Sequence, residues 1–172
     1  PLAQPYNVAP WNYAGTESVT DIPNTEVVDW VLIELRDAAN AASATSATIV
    51  ARKAAFILRN GSVVSTNGVS PLAFSTSIIN SLFAVFHHRN SLSIMTATPV
   101  AQSGGIYTYD FSSGSSQAYG GVLAQKQLVT GVWGMFAGDG NKDGSIGLTD
   151  KSPAWEVGTK GYLGTDYNLD TQ

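Results

Sequence analysis

The segment Asp139 to Asp150 (DGNKDGSIGLTD) has the residue types and spacing of a site that does chemistry. Counted from Asp139, oxygen-bearing side chains fall at loop positions 1, 3, 5 and 12, occupied by Asp139, Asn141, Asp143 and Asp150. A hard cation such as calcium takes six to eight oxygens, and a twelve-residue loop spaced this way wraps them around one centre. Gly144 at position 6 permits the sharp turn, Ser145 at position 7 offers its backbone carbonyl, and Ile146 at position 8 is expected to anchor the loop in the core. Position 12 is Asp where most EF-hands carry a bidentate Glu, which shortens its reach. Ca2+ is the expected metal, with Asp139, Asn141, Asp143, Ser145 and Asp150 as ligands. The competing reading is a polar turn without a metal.

Elsewhere the chemistry-bearing residues are sparse. With no cysteine there is no disulfide, thiolate zinc site or cysteine nucleophile. His87 and His88 are the only histidines, and as neighbours in a strand they are expected on opposite faces, one packed and one exposed. No G-x-S-x-G elbow, H-E-x-x-H or phosphate-cradling loop occurs, and nothing in the linear order pairs a nucleophile with a base. The chain is therefore expected to have no catalytic residues and not to be an enzyme. Aromatic residues are spread along it. Trp30 and Trp133 are expected in the core, whereas Tyr107 and Tyr109 share a strand face and form the candidate sugar-stacking pair.

The elements that must position these groups read as strands. Glu26 to Arg36 is rich in β-branched and aromatic residues and suits a long strand, with a helix as runner-up. Ala39 to Thr48 is a short helix or a loop. Ile49 to Leu58 and Val63 to Ser65 flank Asn60-Gly61, the signature of a hairpin with a type I′ turn. Leu72 to Ile79, Leu82 to Arg89 and Leu92 to Thr98 read as successive strands separated by turn-prone Asn-Ser pairs. Ile106 to Phe111 alternates, Ser112 to Gly121 is a surface loop, and a last strand lies around Val129 to Phe136. Short strands at this spacing predict an all-β fold, an antiparallel β-sandwich of Ig-like or jelly-roll-like kind, with a short C-terminal calcium-loop/helix appendage.

Three regions follow. Residues 1–13, with Pro1, Pro5 and Pro10, form an extended arm, because proline lacks the N–H of a central strand. Residues 14–137 are the sandwich. Residues 138–172 hold Asp139, Asp143, Asp150, Glu156, Asp166 and Asp170, six of the 13 acidic residues, so the boundary falls near Gly138. The net charge of −4 and the nine scattered Lys and Arg exclude a nucleic-acid footprint, and no apolar run is long enough for membrane insertion. The opening on Pro1, without a charged and then apolar leader, reads as a mature or excised piece.

A loop followed by a short helix, with no helix entering, resembles the calcium repeat of type I dockerins. Asp166, Asn168 and Asp170 repeat positions 1, 3 and 5 as a half-site, with Thr171 where Gly is expected. The strings PYNVAPWNYAGTE, VVDWVLIELRDA, HHRNSLSIMTATP, GGIYTYDFS and GVWGMFAGDGNKDG resemble a C-terminal β-rich module of large secreted bacterial surface proteins. That resemblance spans nearly the whole chain and implies an extracellular, cell-surface location, and it supplies no catalytic residues. The expected function is a calcium-stabilised, non-enzymatic structural or adhesive module that assembles with other copies or neighbouring modules, as in a filament or surface layer. A carbohydrate-binding module and a dockerin-type docking module are the alternatives, with polysaccharide or a separate protein as partner.

Overall fold

The VVDWVLIELRDA segment forms the spine of the protein. In the computed structural model, which describes residues 1–150, it is strand β1 (Val27–Ala38), flanked by β2 (Ile49–Leu58) and β4 (Ser81–His88). β3 (Val63–Val64) and β5 (Ser91–Met95) complete an antiparallel five-stranded sheet in the order β3-β2-β1-β4-β5. Two hairpins, β6 (Ala101–Ser103) with β7 (Ile106–Thr108) and β8 (Gln125–Val129) with β9 (Val132–Met135), make the remaining sheets. The all-β, antiparallel expectation therefore holds. Among the described residues helical geometry is limited to single 3-10 turns, two of them in Ala39 to Thr48.

Residues opposite one another share a sheet face, so the register sorts the side chains. Trp30 faces Phe56, Leu32 faces Ala54 on one side and His87 on the other, and Glu34 faces Val85. This face carries the main apolar cluster of Trp30, Leu32, Ala54, Phe56 and Val64, with the Trp30 and Phe56 rings 4.2 Å apart.

The N-terminal arm covers that face. Its prolines keep it out of the ladder, but Tyr6 is wholly buried in the cluster, with Trp11 and Tyr13 packed beside it. Backbone bonds from Gln4 N–H to the Glu17 carbonyl (3.0 Å) and from Val19 N–H to the Leu2 carbonyl (2.8 Å) close the arm on itself. Gly15 serves this closure, because a Cβ there would run into the Tyr13 ring and the Glu17 carboxylate. The Tyr6 hydroxyl donates to the Trp30 carbonyl (2.8 Å), the Trp30 indole N–H to the Pro1 carbonyl (2.8 Å), and Arg52 to the Trp11 carbonyl (2.8 Å). The arm is thus part of the core of its own chain. Without it, Trp30 and Phe56 would face water.

The expected Leu72–Ile79 strand does not form. That stretch follows the opposite face of the sheet, where Lys53 donates to the Ala73 carbonyl (2.8 Å) and lies over the Phe74 ring. The N–H groups of Ile79 and Asn80 are taken by the Asp37 carboxylate (2.7 and 2.8 Å) instead of a neighbouring strand. The Asn60-Gly61 hairpin exists, but its turn is not type I′. Gly61 alone has a positive φ (85°), its N–H returning to the Leu58 carbonyl, while Asn60 accepts from Ser62. Two consecutive positive φ values occur instead at Gly104 (59°) and Gly105 (84°), in the two-residue loop between β6 and β7. β9 is the expected last strand, half-burying Trp133, whereas Trp30 is fully in the core.

Isolated bridges add to each side of the large sheet. Pro71 bridges to Val64 on β3, and Ala137 and Ala118 bridge to Ser91 and Thr96 beside β5.

Candidate metal loop and adjoining cleft

The loop is placed by the hairpin of β4 and β5. Leu92 N–H donates to the Phe136 carbonyl (2.9 Å) and Gly138 N–H to the Asn90 carbonyl (3.0 Å), so the chain leaving β9 runs beside the start of β5. Asp139 is delivered to that turn and buried there.

Within the loop Asp139, Asn141 and Asp143 each accept a backbone N–H further along. Asp139 Oδ2 accepts from Gly144 (3.2 Å), Asn141 Oδ1 from Asp143 (2.9 Å) and Asp143 Oδ1 from Ser145 (2.9 Å). Asp150 reaches back across the loop, taking the N–H of Asn141 at 3.3 Å and of Gly147 at 2.6 Å. Gly144, with φ 84°, occupies the left-handed region that the sharp turn requires. The spacing read from the sequence therefore does close a loop between Asp139 and Asp150.

Two details decide what the loop can hold. Asp139 Oδ1 is buried without a hydrogen-bond partner. Burial, only partly opposed by the Gly144 N–H, raises the Asp139 carboxyl above its ordinary range, and the charges of Asp150 and Asp143 push the same way. That oxygen accepts no hydrogen bond, and a bound cation would supply the partner it lacks. The ligand set is not assembled as drawn from the sequence. Asn141 Nδ2 donates to Asp143 Oδ2 (2.9 Å), so those two side chains face each other. Among the described residues no three Asp, Glu or His side chains converge as a metal-holding group. Ser145 is exposed, and Ile146, expected in the core, is 47% exposed and lies over Gly138. Asp166, Asn168 and Asp170 lie outside the described residues.

Lys142, at loop position 4, reaches the N-terminal arm. Its ammonium lies 5.0 Å from the centre of the Trp11 ring, and Trp11 in turn meets Tyr6 edge-on at 4.9 Å. Burial lowers the Lys142 pKa, the Arg89 charge adds to this, and Asp139 opposes it. The loop therefore touches the arm directly. Pro10, Trp11, His88, Ser91, Asp139 and Lys142 line one cleft of about 270 Å3.

The histidines do not divide into one packed and one exposed. Both are half-buried, because β1 sets an acid beside each. His88 Nε2 lies 3.1 Å from Asp29 Oδ2, and its Nδ1 lies 3.1 Å from the Ser91 hydroxyl. His87 Nδ1 lies 2.7 Å from Ser93 Oγ, with Glu34 Oε2 3.8 Å from its Nε2. Asp29 also accepts from Arg89 Nε (2.9 Å) and from Trp30 N–H (2.8 Å). No local motif announces these pairs, since Asp29 and His88 belong to different strands.

Burial alone would raise the Asp29 carboxyl, but the His88 hydrogen bond and the Arg89 charge outweigh it and bring it below its ordinary value. Burial would raise Glu34 too, but it is also brought below its ordinary value, with Arg36 bonded to it (2.8 Å) and the His87 ring 3.8 Å away, outside hydrogen-bond distance. A carboxyl whose folded pKa is depressed contributes stability above its unfolded pKa, and that contribution is lost as pH falls through the folded value. Stability should thus decline below about pH 4, near the unfolded carboxylate pKa. Urea melts at pH 7, 4 and 3 should show this decline shrinking in Asp29→Asn; an unaltered pH slope in that variant would refute the assignment.

Tyr107 is exposed on β7, whereas Tyr109 lies beyond the strand end, half-buried, donating to the Gln117 carbonyl (2.6 Å) with its ring tilted on Phe111. The structure does not present them as a matched pair. Comparison with family models, curated proteins and solved structures gave no match.

Proposed function

We propose that this chain is an extracellular structural module in which a calcium ion, held by the Asp139–Asp150 loop, fastens the N-terminal arm to the β-body. The single observation carrying this reading is the buried, unpartnered Asp139 Oδ1 among three loop carboxylates, in a loop whose Lys142 rests on Trp11. Asp139, Asn141, Asp143 and Asp150, with the Ser145 carbonyl, are the residues that would hold the ion. Rotation of Asn141 to offer its carbonyl oxygen would release Asp143 for the metal. When bound, calcium offsets the clustered negative charge and performs no chemistry of its own.

In this reading, neighbouring modules or copies meet through surfaces other than the arm, since Tyr6 and Trp11 serve the core of their own chain. Titration calorimetry with calcium should register one site, lost in Asp139→Ala and much weaker for magnesium, which dehydrates reluctantly and demands a tighter octahedron. Absence of any calcium heat at micromolar protein, together with no retention of the ion in equilibrium dialysis, would overturn the proposal.

A further inference from the structure

We propose that Asp29, His88 and Ser91 form an acyl-transfer site opening into the cleft between the arm and the β4–β5 hairpin, with Ser91 as nucleophile toward small carboxylic esters.

The argument begins at Asp29. Its buried carboxylate is ionised at neutral pH and can only accept, so the His88 nitrogen facing it at 3.1 Å carries the proton. With that tautomer, Nδ1 offers its lone pair to the Ser91 hydroxyl, also at 3.1 Å. Nucleophile, base and orienting acid thus stand in hydrogen-bonded sequence, the arrangement that activates a serine. The contact between His88 and Ser91 follows from strand register alone, because they are cross-strand neighbours. The added feature is Asp29, from a strand outside that hairpin, held rigid by Arg89 and the Trp30 N–H.

Access and charge fit the same assignment. Ser91 and His88 line the cleft, whose volume of about 270 Å3 suits a short acyl group. Arg89 and Lys142 line it too, and such cations favour negative charge developing on a carbonyl oxygen. In the step, Ser91 Oγ bonds to the ester carbonyl carbon while its proton passes to His88 Nδ1. The carbon–oxygen bond to the alcohol then breaks, and His88 protonates the departing alkoxide. Water, deprotonated by His88, then adds to the acyl carbon, the bond to Ser91 Oγ breaks, and Oγ takes the proton back from His88 as the acid leaves.

The molecule carries its own control. Ser93 lines the same cleft and contacts His87, but Glu34 stands 3.8 Å from that ring, beyond hydrogen-bond reach. A fluorophosphonate probe followed by peptide mapping of the native chain should label Ser91 at least tenfold faster than Ser93. In His88→Gln, with an unchanged far-UV spectrum, labelling should slow by about 100-fold, the lower range for a general base. p-Nitrophenyl acetate hydrolysis should also drop in Ser91→Ala. Equal or absent labelling of Ser91 and Ser93 in the native chain overturns the assignment, and so does esterase activity that survives Ser91→Ala.

Discussion

Chelation of calcium with EDTA is expected to lower the melting temperature by roughly 5–10 °C and to loosen the arm at the same time. A ligand bound only by the folded state stabilises by about 2.7 kcal/mol at a hundredfold excess over its Kd. For a chain of 172 residues each kcal/mol moves the melt by about 2–4 °C. The link to the arm is Lys142. Without the ion, repulsion between Asp139, Asp143 and Asp150 favours opening of the loop, and the Lys142 contact with Trp11 opens with it. Hydrogen exchange should therefore accelerate at Asn12 and Tyr13, whose N–H groups bond to Val8 and Tyr6 within the arm (2.9 and 2.8 Å). Restoring calcium should reverse both changes, and Asp139→Ala should abolish the response. An unchanged melt in EDTA would refute the metal, whereas a lowered melt with steady exchange in the arm would refute the coupling.

Replacing Tyr6 is expected to do more damage than any other change in the arm. The ring is fully buried against Trp30, Leu32 and Phe56, so Tyr6→Ala should cost about 3–5 kcal/mol, as removal of large buried aromatics does. Tyr6→Phe keeps the ring but leaves the Trp30 carbonyl without its 2.8 Å donor, a loss of about 1–3 kcal/mol. Urea denaturation separates the two. Should Tyr6→Ala cost less than the hydroxyl deletion alone, the arm does not pack as described.

The sequence was most legible where signals are local. β1, β2 and β4 are dense in β-branched and aromatic residues, and the Asp139–Asp150 spacing encodes its own turns. It was least legible where a distant partner decides. The run Leu72 to Ile79 has a strand's apolar content, yet Asp37 captures its last N–H groups. Gln125 to Val129 is too polar to announce a strand and forms one only against Val132–Met135. Three prolines correctly removed the arm from the ladder but concealed that Tyr6 and Trp11 complete the core. The contact of Asp29 with His88 spans most of the sheet-forming chain, and no spacing rule reaches that far.

The bridges at Pro71, Ala118 and Ala137 have a consequence for how such a module behaves when crowded. A sheet with bare margins would recruit any extended chain by backbone pairing, without regard to sequence. Here a proline that lacks an N–H stands beside β3, and two alanines shield β5. At those positions backbone pairing is taken up within the chain, which leaves fewer free N–H and C=O groups for an incoming strand.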